Sequence, residues 1–428
     1  MRSWSVAVSV YLLAVLHRTS LGVAGLQAAD RFGIPPGRLS LFVLLQIGVY
    51  AAMQIPTGVL VDRYGPRRLL VLAAMLMGLA QAGFAVADGF GAALAARALL
   101  GLGDALTFVS VLRLAASHFS PRRYPVIVSV TGMVGTVGNL AATLPLSSLL
   151  RHVGWTPTFF GAGMLSVISG VAVYLMLPRA APIAPASLSR ARLRAAARTI
   201  AARVATAWSM PGTRVGFWVH FSAMSTAMMF AMLWGVPFMQ QSQGMSRAAA
   251  STLLLTNVFV SVVTGPLVGV VISRHPPARV PIALGVCLLT ALGWLTCLAL
   301  FDGPMPRAVL VGLVVLTGLG APVSSIGFAV ARDYNGPAVI GTATGVVNVG
   351  GFSATIVASM LFGWALGLFG SSGGGYRSAF AIGVLVQVAG LTQMARWWLR
   401  ARQAVLRSAE AGQPAPVRLT RRRWDLTG

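Results

Sequence analysis

Twelve apolar segments of about 20 residues or more follow one another along the chain, and that length is what crossing the hydrocarbon core of a bilayer requires. The first six run approximately over 4–26, 40–61, 69–87, 92–117, 124–150 and 156–177, and the last six over 212–240, 248–272, 280–301, 308–331, 338–369 and 378–399. A composition of 56% hydrophobic and only 10% charged residues supports lipid as the solvent, since soluble domains carry about 25% charged residues. The expectation is an all-α polytopic membrane protein with twelve transmembrane helices in two pseudo-symmetric six-helix bundles. Its parts are an N-terminal bundle at 1–177, a basic linker at 178–211, a C-terminal bundle at 212–399 and a basic tail at 400–428. The linker, rich in Ala, Pro and Arg, could carry an amphipathic helix lying on the membrane surface. Segment 11 is long enough that interfacial turns are expected within it.

Two halves are indicated by a repeated turn. Residues 58–68 read GVLVDRYGPRR, and 269–279 read GVVISRHPPAR, so Gly58 matches Gly269, Arg63 matches Arg274 and Arg68 matches Arg279 at a spacing of 211. The acid of the first copy, Asp62, is replaced by Ser273 in the second. In a membrane chain, such repeats point to a transporter with its site where the repeats meet. A second repeat, Gly132-x6-Asn139 and Gly341-x6-Asn348, falls in segments 5 and 11 at a spacing of 209. Small residues of this kind allow close helix approach, and an Asn in hydrocarbon seeks an interhelical bond.

The net charge of +25 arises from 33 arginines and no lysine against 8 acids. They do not form a nucleic-acid-binding stripe, because they cluster between apolar segments. With an even number of spans, 24 arginines fall on the side of both termini and the linker, six on the other side (including Arg38 and Arg247), and Arg18, Arg97 and Arg113 within segments. The positive-inside rule then places both termini and the linker in the cytoplasm, with the protein in the plasma membrane. A cleaved secretory signal in segment 1 fits poorly, because Arg18 would interrupt its apolar region. Cys287 and Cys297 lie in one apolar segment and read as small buried residues, not as a disulfide or metal site.

The turn at Gly58, Leu60, Asp62, Arg63, Gly65, Arg67 and Arg68, its echo and the central basic linker resemble the major facilitator superfamily over nearly the whole chain. Arg97 to Ala105, RALLGLGDA, is similar to a second signature of that family, departing from it at Leu100 and Asp104. By physics alone, Gly58 and Gly65 permit close approach and positive φ, Asp62 can accept bonds from a neighbouring helix N-terminus, and the arginines can face anionic lipid on the cytoplasmic side. The resemblance implies that Asp62 and its neighbours form a conformational latch; the alternative is a topology anchor. Gly and Asn in segments 5 and 11 are loosely similar to nitrate and nitrite porters. The spacing of Tyr11 and Arg18 is similar to organophosphate antiporters, whose second arginine in helix seven has no counterpart here.

Ionisable groups at bilayer depth face a cavity or a partner. Arg18, too deep for easy snorkelling, is either a substrate charge or half of an ion pair with Asp104. Arg97, seven residues before Asp104, shares roughly its helix face. Asp104 is a proton-carrying carboxylate or a permanent counter-ion, since burial disfavours its charge and a nearby arginine restores it. Arg113 is placed to pair with Asp62 or to snorkel. His220 in segment 7 is a packing group or a cavity charge, with Trp218, Ser222, Ser225, Thr226, Trp234, Gln240 and Gln241 nearby.

These features predict a secondary transporter working by alternating access on a small solute, an anion by the excess of deep arginine over deep acid. The alternative is proton-coupled export of hydrophobic compounds through Asp104, and a non-transporting sensor or scaffold is a further class. Catalysis is not expected: neither a metal cluster, a nucleotide loop nor a nucleophile and base pair is visible. No cofactor is expected beyond coupling to protons or a counter-transported anion, and no nucleic-acid or protein partner is implied.

Overall fold

The computed structural model describes residues 2–34, 39–178, 190–370 and 372–412. Arg38, the linker stretch 179–189 and the tail beyond 412 lie outside the described residues. Every regular element among the described residues is helical. In chain order these are α1 (Arg2–Phe32), α2 (Leu39–Tyr64), α3 (Pro66–Val86), α4 (Phe90–Ala105), α5 (Thr107–His118), α6 (Tyr124–Ala141), α7 (Ser147–His152) and α8 (Trp155–Met176). There follow α9 (Arg190–Ser209), α10 (Pro211–Met229), α11 (Gly235–Gln241), α12 (Arg247–Arg274), α13 (Arg279–Leu300), α14 (Arg307–Gly318), α15 (Gly320–Tyr334), α16 (Ile340–Phe369) and α17 (Gly373–Glu410).

Eleven stretches of the described residues are long and apolar enough to cross a membrane. The twelfth expected span is α10 and α11, joined by a π turn at Phe230–Trp234. Pro237 explains that turn: its ring would clash with the carbonyl four residues back, and one extra residue in the turn relieves the clash. The Gly235 N–H accordingly reaches Phe230 O. Pro145 acts in the same way in the π turn Ala142–Leu146 between α6 and α7. The interfacial turn expected in segment 11 is confined to its first residues, 338–339, after which α16 runs unbroken from Ile340 to Phe369, and the helix of segment 12 continues past its apolar stretch to Glu410. Its extension, RARQAVLRSAE, is made largely of strong helix formers, so nothing local stops it at the apolar boundary.

Over the described residues the chain forms two compact units. One takes in Met1–His118, Met133–Ala205 and Pro337–Gly345; the other takes in Phe119–Gly132, Thr206–Gly336 and Val346–Gly428. In the first, α3 packs on α8 and α2 on α4. Phe32, Phe42, Phe84, Phe90, Trp155 and Phe159 fill one end of it with edge-to-face and tilted ring pairs. In the second, α10 packs on α15 and α17, and Trp294 is fully buried among Phe230, Phe238 and Phe380.

Both units repeat the same close approach. A Cβ at Gly101 would lie 2.5 Å from Gln46 O, and one at Gly318 would lie 2.9 Å from Asn257 O. Gln46 and Asn257 are 211 residues apart (257 − 46), the spacing of the two turns. Helix-to-helix contact of this kind needs a residue without a side chain, because lipid supplies no hydrophobic force and backbone proximity supplies the packing. The helix carrying each glycine breaks just beyond it, at Leu106 between α4 and α5 and at Leu319 between α14 and α15.

Candidate functional site

The break at Leu106 leaves Asp104 in the last turn of α4, fully buried, with its backbone carbonyl accepting from Thr107 Oγ1 at 2.7 Å. Arg18 of α1 meets it side-on: Nε donates to Oδ2 and Nη2 to Oδ1, both at 2.8 Å. Parallel bonds along one edge of the guanidinium are the strong, geometry-selective form of this pairing. The other partner of Arg18 is the face of Tyr50, 4.4 Å from Cζ to the ring centroid.

Arg97, two turns earlier on α4, is also fully buried, yet its partners are weak. Its Nη1 lies 3.5 Å from His17 O and 3.4 Å from Ser20 Oγ, and its Cζ lies 5.1 Å from the Phe84 ring centroid. Nε and Nη2, the same edge with which Arg18 holds Asp104, meet no acceptor among the described residues. Arg18 and Asp104 cancel, so Arg97 is the excess charge of this interior.

His17 was not singled out from sequence and is central to the cluster. It is fully buried, with Nε2 2.6 Å from Ser166 Oγ of α8 and Nδ1 2.8 Å from Gln81 Nε2 of α3. With the amide as oriented, Nδ1 accepts and Nε2–H donates. Gln81 Oε1 is left without a donor among the described residues. The available signal was an ionisable ring beside Arg18 inside an apolar run, the criterion by which Arg18 was chosen.

At the other end of α2 the Asp62 side chain is fully buried. It accepts from Gly341 N at 2.9 Å, Thr342 N at 2.8 Å, Thr342 Oγ1 at 2.9 Å and Arg113 Nε at 3.1 Å. Arg113 Nη2 also donates to Pro337 O at 3.0 Å. A carboxylate on the first turn of α16 satisfies helix N–H groups that have no intrahelical partner. The approach is possible because Gly58 and Gly341 touch; a Cβ at Gly58 would lie 2.5 Å from Gly341 O. Gly65 takes φ 80°, turning the chain into α3. Arg67 does not simply face lipid: its Nε and Nη2 donate to Tyr174 O at the end of α8, at 3.2 and 2.5 Å. Arg63 lies over the Tyr64 ring, and Arg68 is also engaged.

The second turn works differently. Ser273 Oγ donates to Val270 O of its own helix, while Arg279 pairs with Asp333 of α15 and donates from Nε to Ile272 O at 2.9 Å. Gly269 packs on Val126 and Ser129 of α6 as Gly58 packs on Gly341. Contact therefore matches Gly341 to the 126–129 turn, and not to Gly132 as the 209-residue spacing suggested. Gly132 and Asn139 are exposed, and a Cβ at Gly132 would meet nothing within 4 Å. Gly138 makes the close approach in α6, 2.6 Å from Leu12 O for an added Cβ.

His220 of α10 is buried in the second unit, edge-on to Phe328 at 4.8 Å, with Asn348 and the Ser324 backbone beside it. Gly351 makes room for it: an added Cβ would come within 2.6 Å of Nε2. Asn348 is thus a buried neighbour of His220, whereas Asn139 sits at the surface of the first unit.

Comparison with known proteins agrees with this architecture. The chain is 22% identical over 388 residues to a probable galactarate/D-glucarate transporter, GudP, of Escherichia coli (strain K12), covering 83% of this chain and 85% of that one. It is 22% identical over 404 residues to a probable sulfoacetate transporter, SauU, of Cupriavidus necator, covering 90% and 91%. Among solved structures, the human organic anion transporter MFSD10 superposes with TM-score 0.67 at 18% identity, over 92% of this chain and 99% of that one. The proton:xylose symporter XylE superposes with TM-score 0.67 at 15% identity, over 92% and 94%. The family model described as Major Facilitator Superfamily matches residues 7–300 and 217–426. With that match covering most of the sequence, and with helices and turns arranged as above, the chain belongs to the major facilitator superfamily.

Proposed function

We propose that this secondary transporter moves a small organic anion by alternating access, with both termini in the cytoplasm of a cell whose plasma membrane it spans. The observation that carries the reading is Arg97, fully buried, with one donor edge lacking an acceptor among the described residues while the acid nearest in sequence is held by Arg18. Buried charge without a partner is costly in a membrane, and an anionic substrate would offset it. Arg18 acts in concert: an anion that competes for its guanidinium would free Asp104, which then becomes the site for a coupling proton. Relatives named for galactarate or D-glucarate, sulfoacetate and 3-(3-hydroxy-phenyl)propionate all carry acids, which supports the substrate class.

Asp62 and its bonds to Gly341 and Thr342 serve in this reading as a latch favouring one state of the transport cycle.

The test is a thermal-shift panel on purified protein. Dicarboxylates, sulfonates and aromatic carboxylates are compared with their uncharged amides or alcohols, because a ligand that binds the folded state raises apparent stability by mass action. Stabilisation by an acid and not by its neutral analogue, lost in Arg97→Gln, is expected. Stabilisation by neutral hydrophobic compounds alone, dependent on Asp104, would replace this reading with proton-coupled export.

A further inference from the structure

Two guanidinium groups share one indole in the second unit. Arg214, in the first turn of α10, places Cζ 4.3 Å from the Trp397 ring centroid, and Arg400, one turn along α17 from Trp397, places Cζ at 4.7 Å. Arg214 is further fixed by Nε donating to Trp208 O at 2.6 Å and by the Trp208 ring, 5.7 Å from its Cζ. Stacking on an aromatic face stabilises each cation but leaves its charge in place. Among the described residues neither arginine has an acidic partner: the ion pairs there are Arg18 with Asp104, Arg113 with Asp62, Arg279 with Asp333, and Arg377 with Asp302. Two like charges are therefore gathered on one ring with no counter-ion among the described residues.

Their surroundings identify what would supply one. Met210, two residues after Trp208 and four before Arg214, and Leu399, next to Arg400, are exposed apolar side chains within one turn of the two arginines. Tryptophans with arginines just beyond them mark the headgroup level of a bilayer. The site is also built from three elements: α9 ends, α10 begins and α17 leaves the apolar zone here, with α15 alongside through Asn335 Nδ2 donating to Thr213 Oγ1 at 2.8 Å. We propose that Trp208, Arg214, Trp397 and Arg400 form a binding site for one anionic phospholipid, its phosphate between the two guanidiniums and its acyl chains along the exposed apolar surface next to Met210 and Leu399. A site of this kind would tie the end of the linker helix α9, the start of α10 and the outgoing end of α17 to the leaflet they share. The proposal is independent of what the protein transports.

The experiment uses the full chain in nanodiscs of phosphatidylcholine with increasing phosphatidylglycerol, either lipid brominated on its acyl chains, and reads the fluorescence quenching that disappears in Trp397→Phe. Brominated phosphatidylglycerol is expected to quench that component at a lower mole fraction than brominated phosphatidylcholine. Arg400→Gln should weaken this preference about fivefold, equivalent to the roughly 1 kcal/mol that one basic residue gains at an anionic surface. Arg400 is exposed, so the variant tests the site without disturbing packing; Arg214→Gln, which also removes the bond to Trp208 O, is the second variant. Equal quenching by the two lipids, or an unchanged preference in Arg400→Gln, would overturn the proposal. Displacement of phosphatidylglycerol by inorganic phosphate would assign the site to a free anion instead, and would also overturn it.

Discussion

Arg18 holds Asp104 through the Nε and Nη2 edge of its guanidinium, one bond to each carboxylate oxygen, in the interior of the first unit. The acid is fully buried and the arginine nearly so, which makes the two side chains one energetic object. Neutralising either alone leaves a buried charge without its partner, a loss on the order of 3–5 kcal/mol. Arg18→Gln and Asp104→Asn are each expected to lower the melting temperature of the purified protein, and the double variant to recover most of the loss. Additive losses in the double variant would show that the two residues act separately.

Asp62 collects four donors, two of them N–H groups of the first turn of α16. Asp62→Asn keeps the size of the side chain and gives up both its charge and part of its acceptor capacity. The variant is expected to insert and fold, to lose about 1–3 kcal/mol of stability, and to transport more slowly. Reconstituted flux measured beside a melting curve checks this; wild-type flux with lowered stability would reduce Asp62 to an anchor.

Glycines divide by what an added methyl would meet. Gly58→Ala and Gly138→Ala would drive a Cβ to 2.5 and 2.6 Å from a backbone carbonyl oxygen, and both should be strongly destabilising. Gly132→Ala meets nothing within 4 Å and should be neutral or slightly stabilising, since alanine favours the helix by about 1 kcal/mol. Ranking the three by melting temperature tests the packing register directly.

Sidedness follows from the arginine distribution. With Cys287 and Cys297 replaced by serine, a cysteine at Gly89 should react with an impermeant thiol reagent on intact cells, and one at Ala201 in α9 should react only after permeabilisation. The reverse pattern would invert the topology.

The twelve spans, the repeated turn and the deep charges were legible because each is a local departure from apolar composition at a readable spacing. Pairing was less so. Asp104 could be read as a partner of Arg18 or a carrier of protons, and only the helix break at Leu106 and the side-on geometry show them joined. His17 escaped notice because its partners, Gln81 and Ser166, lie 64 and 149 residues away and are ordinary polar residues in sequence. The glycine and asparagine repeat misled because a spacing match does not report which helix face is covered: Asn348 is buried against His220, and Asn139 is exposed. The extent of α17 was missed because the end of hydrophobicity is not a stop signal for a helix.

That helix has a practical use. At 1.5 Å per residue, the 38 residues of α17 extend about 57 Å, against about 30 Å of hydrocarbon. Its last turns continue in register with a span packed on α10 and α13, so a foreign helix spliced in phase before Glu410 would inherit the orientation of the membrane domain. At 44.6 kDa the protein offers little mass outside a detergent belt for aligning particle images. A rigid protein grown from α17 would supply the asymmetric landmark that such imaging requires, without touching any buried charge.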